Sequence, residues 1–171
     1  MGFDVYGMGA TKEEGKYFRN NVWWWRPLWA YCKIVAPDLC RGVDGDTNSG
    51  DGLGPEESEQ LANILDAELD SGDTALYASD YQNKISMMPR ERCSTCDATG
   101  IRTDAVGVGG GWPSVVLDSE IAAQVGRLEG SCNACGGLGH RSAYDAAYPF
   151  DVDNVREFAA FCRHSGGFAI Q

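Results

Sequence analysis

The opening FDVYG alternates apolar and polar side chains, a two-residue period that predicts a short strand ending at Gly7 and Gly9. Farther along, the period lengthens. In YFRNNVWWWRPLWAYCKIVAP, residues Trp25, Trp29, Cys32 and Val35 recur near i, i+4, i+7 and i+10 and share one helical face. Pro27 resists a helix interior, so the helix is expected to start near Arg26 with Pro27 in its first turn, and Pro37 ends it. Pro55 opens a second helix, with Glu56 and Glu57 against the positive end of its dipole and Leu61, Ile64, Leu65 and Leu69 as its buried stripe. After a break at Gly72, Leu76, Tyr77, Tyr81, Ile85 and Met88 predict a third helix over 74–88, stopped by Pro89.

The last helix has the clearest signals. Asp151 is its expected N-cap, Val152, Val155, Phe158, Ala159 and Cys162 form its stripe, and Gly166 suits the left-handed C′ position. The closing GFAI is expected to pair with the opening FDVY and tie the termini together. Residues 41–54 read as a glycine-rich acidic loop. Within 97–131, a strand is expected from Ser114 to Leu117, followed by a short helix or an irregular return in EIAAQVGRLEG. The fold class that follows is α+β, helices packed on a small sheet with an inserted single-zinc hairpin module built on four cysteines. Residues 1–89 and 142–171 form the helical α+β core, and 90–141 the zinc-binding module.

Composition narrows the class. A chain of 171 residues with 43% hydrophobic content builds one ordinary core with room for a small inserted module. There is no apolar run of about 18 residues, so no membrane span is expected. The start has neither a basic n-region nor an apolar h-region, and Tyr6 stands where a myristoylation motif needs Ser or Thr. Seven cysteines without an export signal fit a reducing compartment, where paired cysteines serve metal or redox chemistry rather than disulfides.

Four of the seven fall in two copies of one module, C-x-x-C-x-x-x-G-x-R: Cys93 and Cys96 in CSTCDATGIR, Cys132 and Cys135 in CNACGGLGHR. Two residues between cysteines let a tight turn aim both sulfurs at one ion, and glycines after the ligands permit the positive φ of a reversing chain. Two such turns give a closed four-thiolate site, which zinc prefers: one structural Zn2+ is expected. The second module matches CxxCxGxG, and in the first Ala98 replaces the inner glycine. Both resemble the cysteine-rich zinc centre of the DnaJ chaperone family, over Cys93–Arg102 and Cys132–Arg141 alone. That family carries four modules and two zincs; two modules imply one, and no J-domain HPD signature is present, so chaperone function does not carry over. Cys32, Cys40 and Cys162 read as buried apolar side chains.

The net charge of −11 opposes binding to a phosphate backbone, so duplex nucleic acid is disfavoured as a partner. Trp23, Trp24 and Trp25 are consecutive, and positions 100° apart on a helix cannot all face inward. Trp25 and Trp29 are expected in the core, whereas Trp23 and Trp24, beside Arg19 and Arg26, are candidate ligand- or partner-binding residues. Asn48 and Asp51 of the acidic loop join them as candidates lining a cleft. Asp44, Asp46, Asn48 and Asp51 are reminiscent of a calcium loop, but Ser49 and Pro55 stand where that loop needs Gly and Glu. Neither His140 nor His164 has a recognisable nucleophile partner.

As a set, MGFDVYG, GKYFRNNVWWWRPLW, the two cysteine modules and YPFDVDNVREFAAFCRHSGGF resemble a family of small phage and prophage proteins, over about half the chain. The resemblance carries over no activity and no functional residue. It implies a viral accessory protein in the cytoplasm of a bacterial host. The expected function is therefore non-enzymatic: a zinc-stapled protein that binds a host protein or sequesters a small nucleotide-like ligand. Two other classes stand beside it, a small hydrolase using Asp44, Asp46 and Asp51, and a zinc-ribbon binder of RNA or single strands using Arg90, Arg92, Arg102 and Arg141.

Overall fold

The computed structural model describes residues 2–102, Ala105 and 132–171. The chain divides into two compact units, Met1–Ser86 with Ala147–Gln171, and Met87–Ala146. In the first, the opening alternation becomes β1 (Gly2–Gly7), with Phe3 and Val5 buried and Tyr6 exposed. A single 3-10 turn, Glu13–Gly15, leads into β2 (Tyr17–Asn21), antiparallel to β1 with Val5 opposite Phe18. β2 was not expected from the sequence. Its inward positions are Phe18 and Asn20, and a buried asparagine hides the apolar alternation; Asn20 is satisfied by Asn154 Oδ1 at 2.6 Å.

Helix α1 (Val22–Val35) begins a full turn before the expected start near Arg26 and holds Pro27 in its interior. The cause is the cap. The Asn21 side chain accepts hydrogen bonds from the Trp23 and Trp24 amides, satisfying two donors that a helix start leaves orphaned. Pro27 forfeits one hydrogen bond, offset by burial of Trp25, Pro27, Leu28 and Trp29 around it. Pro37 both ends α1 and opens a single further turn, α2 (Pro37–Cys40).

The acidic loop closes on a two-residue strand, β3 (Gly52–Leu53), before Pro55 starts α3 (Pro55–Ser71). Leu61 and Leu65 are buried, Ile64 and Leu69 pack beside them, and Gly72 caps the helix in the left-handed region. Helix α4 (Asp73–Ser86) replaces the expected span 74–88 and corrects its stripe: Leu76 is 66% exposed. Thr74 takes the inward place, its hydroxyl 2.9 Å from the Tyr31 hydroxyl.

In the second unit, β4 (Glu91–Arg92) pairs with β5 (His140–Arg141). Returning to the first, α5 (Val152–Ser165) has the Asp151 cap, the buried Val155, Phe158, Ala159 and Cys162, and Gly166 at φ 62°. β6 (Phe168–Ile170) then slots between β1 and β3, giving an antiparallel sheet in the order β2-β1-β6-β3. Helices packed on this small sheet make the fold α+β. At the centre Trp25 stacks on Trp29 at 5.8 Å and on Phe3 at 5.4 Å, with Phe158 edge-on. The expected strand from Ser114 to Leu117 and the segment after it lie outside the described residues. No helix among the described residues is long and apolar enough to cross a membrane.

Candidate metal centre

Each cysteine module folds as a tight turn closed by its own carbonyls. Cys93 O accepts from the Ala98 amide and Cys96 O from Thr99; Cys132 O and Cys135 O accept from Gly137 and Leu138. The two turns then exchange hydrogen bonds reciprocally, Cys93 N to Gly139 O at 2.9 Å and Cys132 N to Gly100 O at 2.7 Å. Positions five and seven beyond each first cysteine have left-handed backbones in both copies: Ala98 and Gly137, Gly100 and Gly139. The repeat in sequence is thus a local two-fold in space. It also explains the module's last glycine. A Cβ on Gly100 would lie 2.4 Å from Gly137 O, and one on Gly139 2.4 Å from Ala98 O. Only glycine lets the two turns approach this closely.

This approach brings together all four thiols. Cys93 Sγ lies 4.0 Å from Cys132 Sγ and Cys96 Sγ 3.7 Å from Cys135 Sγ, far beyond the roughly 2.05 Å of a disulfide. All four sulfurs lie within 4.8 Å of one another, and all four residues are buried. Together they could hold one metal ion. It is the one such group of His, Cys, Asp or Glu among the described residues. Amide donors suit the centre to negative charge: Gly139 N donates to Cys135 Sγ at 3.3 Å. At Cys93, burial pushes the thiol up, but hydrogen bonds from the Cys96 and Thr95 amides and the neighbouring thiols outweigh it and bring it to about 6. Burial pushes Cys96 up to about 11. Amide donors to the thiolates are what such turns are expected to supply, whereas the reciprocal exchange onto the glycine carbonyls was missed from sequence; the repeated spacing from cysteine to glycine was the available signal.

The other candidate residues lie on α1, on β2 and in the acidic loop. Trp23 is 37% exposed and packs on Tyr148 at 4.8 Å between ring centres. Arg26 joins it there, donating to the Tyr148 hydroxyl at 3.1 Å. Trp24 is half-buried, its carbonyl accepting from Asn154. Arg19 lies on β2, 3.6 Å from Asp4 across the strand pair. Asn48 donates to Gly2 O and Asp51 accepts from the Asp44 amide, so both pin the acidic loop to itself and to the sheet. Its carboxylates are turn-formers: the Thr47 hydroxyl, then the Asp46 amide, hold the Asp44 carboxyl below its usual range, and Asp46 pairs with Lys33. The loop meets a buried tryptophan, through Trp25 Nε1 to Gly45 O at 2.6 Å.

Cys32, Cys40 and Cys162 are buried in the core as expected. Burial pushes Cys40 up to about 11 and raises Cys32 and Cys162 as well. Comparison with protein-family models, with curated proteins and with solved structures finds no match.

Proposed function

We propose that Cys93, Cys96, Cys132 and Cys135 hold one zinc ion as a structural staple, in a protein whose work is binding rather than catalysis. The observation that carries the reading is the sulfur geometry. A zinc–sulfur bond of about 2.3 Å sets tetrahedral edges of about 3.8 Å. Two of the sulfur pairs, at 4.0 and 3.7 Å, bracket that edge. Four protein sulfurs leave the ion no position for water or substrate, so it fixes the module rather than doing chemistry. In the first unit, the carboxylates of the acidic loop are engaged by their own turn and by Lys33, which favours a binding role over hydrolysis.

In this reading the chain is a phage-type accessory protein acting in the cytoplasm of a bacterial host, where it engages a host protein or holds a small ligand. Native mass spectrometry of the protein purified from bacteria tests both parts. One zinc with a host polypeptide or a small-molecule mass supports the staple and the binding role and identifies the bound species. A metal-free or disulfide-bonded protein would overturn the staple. A reproducibly bare zinc protein that no host polypeptide accompanies would overturn the binding role.

A further inference from the structure

Between Gly42 and Asn83 the chain carries eleven Asp and Glu and neither Lys nor Arg, whereas the remainder has fourteen of each sign. Residues 42–83 therefore carry a charge equal to the whole net −11, bounded by Arg41 and by Lys84 in the last turn of α4. Among the described residues, only Asp46 and Asp66 of these acids pair with a cation, Lys33 and Arg163. Within this stretch α4 turns one side chain the wrong way for a core. Its buried and half-buried side runs through Thr74, Tyr77, Ala78, Tyr81 and Ile85, and Leu76 points out at 66% exposure. Asp73 and Asp80, three before and four after it, lie on the same helical face, with the small Ala75 and Ser79 alongside.

A single exposed leucine is ordinary. This one breaks the apolar period of its own helix and sits inside an acidic frame, the arrangement of an interface anchor with a polar rim. We propose that the Leu76 face of α4 docks a cationic amphipathic segment of a partner protein, whose apolar side chain covers Leu76 between Asp73 and Asp80. Charge complementarity selects this occupant. A stretch with eleven acids and no base over 42–83, of which Lys33 and Arg163 offset two, repels nucleic acid and acidic proteins and steers basic ones toward it. The small side chains at 75 and 79 let a partner backbone come close to the helix. The proposal rests on the binding reading above and names the partner's chemistry.

The probe is a labelled amphipathic Lys/Leu peptide, with a Glu/Leu peptide of the same pattern as control, followed by fluorescence anisotropy at low and physiological salt. The Lys/Leu peptide is expected to bind and the Glu/Leu peptide not to. Leu76→Ser, at an exposed position, is expected to weaken binding about tenfold without moving the melting temperature. Asp73→Asn with Asp80→Asn should also weaken it about tenfold and flatten its salt dependence. Glu56→Gln with Glu57→Gln removes equal charge from the start of α3 and should change affinity less than about twofold. If Leu76→Ser binds like the parent, or both double variants weaken binding equally, the attraction is diffuse and the docking face is wrong. The native mass spectrum separates this proposal from the reading beneath it. A host protein that copurifies while the peptide fails to bind overturns the face alone; a bare spectrum with no peptide binding removes both.

Discussion

Ala98 stands where the second module has Gly137, and both backbones are left-handed, at φ 64° and 85°. A Cβ in that region costs about 1 kcal/mol, which the first turn sustains because its partner turn and its sulfurs fix it there. Ala98→Gly is therefore expected to stabilise the module by up to about 1 kcal/mol, read as slower metal release to a chelator. Faster release would show that Ala98 makes a contact worth more than its strain. Gly100→Ala should do the opposite by about 2–3 kcal/mol, because its Cβ meets backbone rather than a side chain that can move. The three core thiols carry a separate expectation. With Cys40 pushed up to about 11 and Cys32 and Cys162 raised too, almost no thiolate forms at a pH of about 8. A thiol reagent should leave these three unmodified in the folded, metal-depleted protein and reach all seven cysteines only in denaturant. Modification of Cys40 without unfolding would mean that α2 opens locally.

The elements divide by how local their causes are. Helix α5 was legible in full because its cap, stripe and terminal glycine all lie within its own sequence. β1 and β6 were legible because alternation at both termini matched. The start of α1 was not, because Pro27 spoke against a helix that Asn21 had already capped six residues earlier. That reading is testable. Asn21→Ala is expected to cost about 1 kcal/mol, about 2–4 °C in melting temperature; a helix starting near Arg26 would not notice it. β2 and β3 were hidden for another reason: one carries its inward pattern on a buried asparagine, the other is two residues inside a polar loop. The four cysteines were legible as one centre because spacing alone fixes what a tight turn does with two sulfurs. How Arg19, Trp23, Asn48 and Asp51 stand to one another was not legible for the opposite reason, since no short-range rule says which faces of separate elements meet.

At the scale of the molecule, the two units differ in what their described residues bury. The first buries a continuous aromatic and aliphatic core under its sheet. In the second, the buried cluster among the described residues is the cysteine quartet itself, and β4 and β5 are two residues each. A two-stranded ribbon of that size does not hold together in water unaided. A metal bound by four sulfurs supplies on the order of 10–16 kcal/mol, ample to order the turns around it. Removal of the metal by a chelator, or Cys132→Ser, is therefore expected to abolish amide protection over 91–102 and 132–141. Protection in β1, β6 and α5 should persist, because their hydrogen bonds and their core owe nothing to the sulfurs. The check is hydrogen exchange followed residue by residue on the loaded and depleted protein. Protection lost everywhere would mean that the ion supports the whole fold, and protection lost nowhere would mean that the four cysteines hold the module without one.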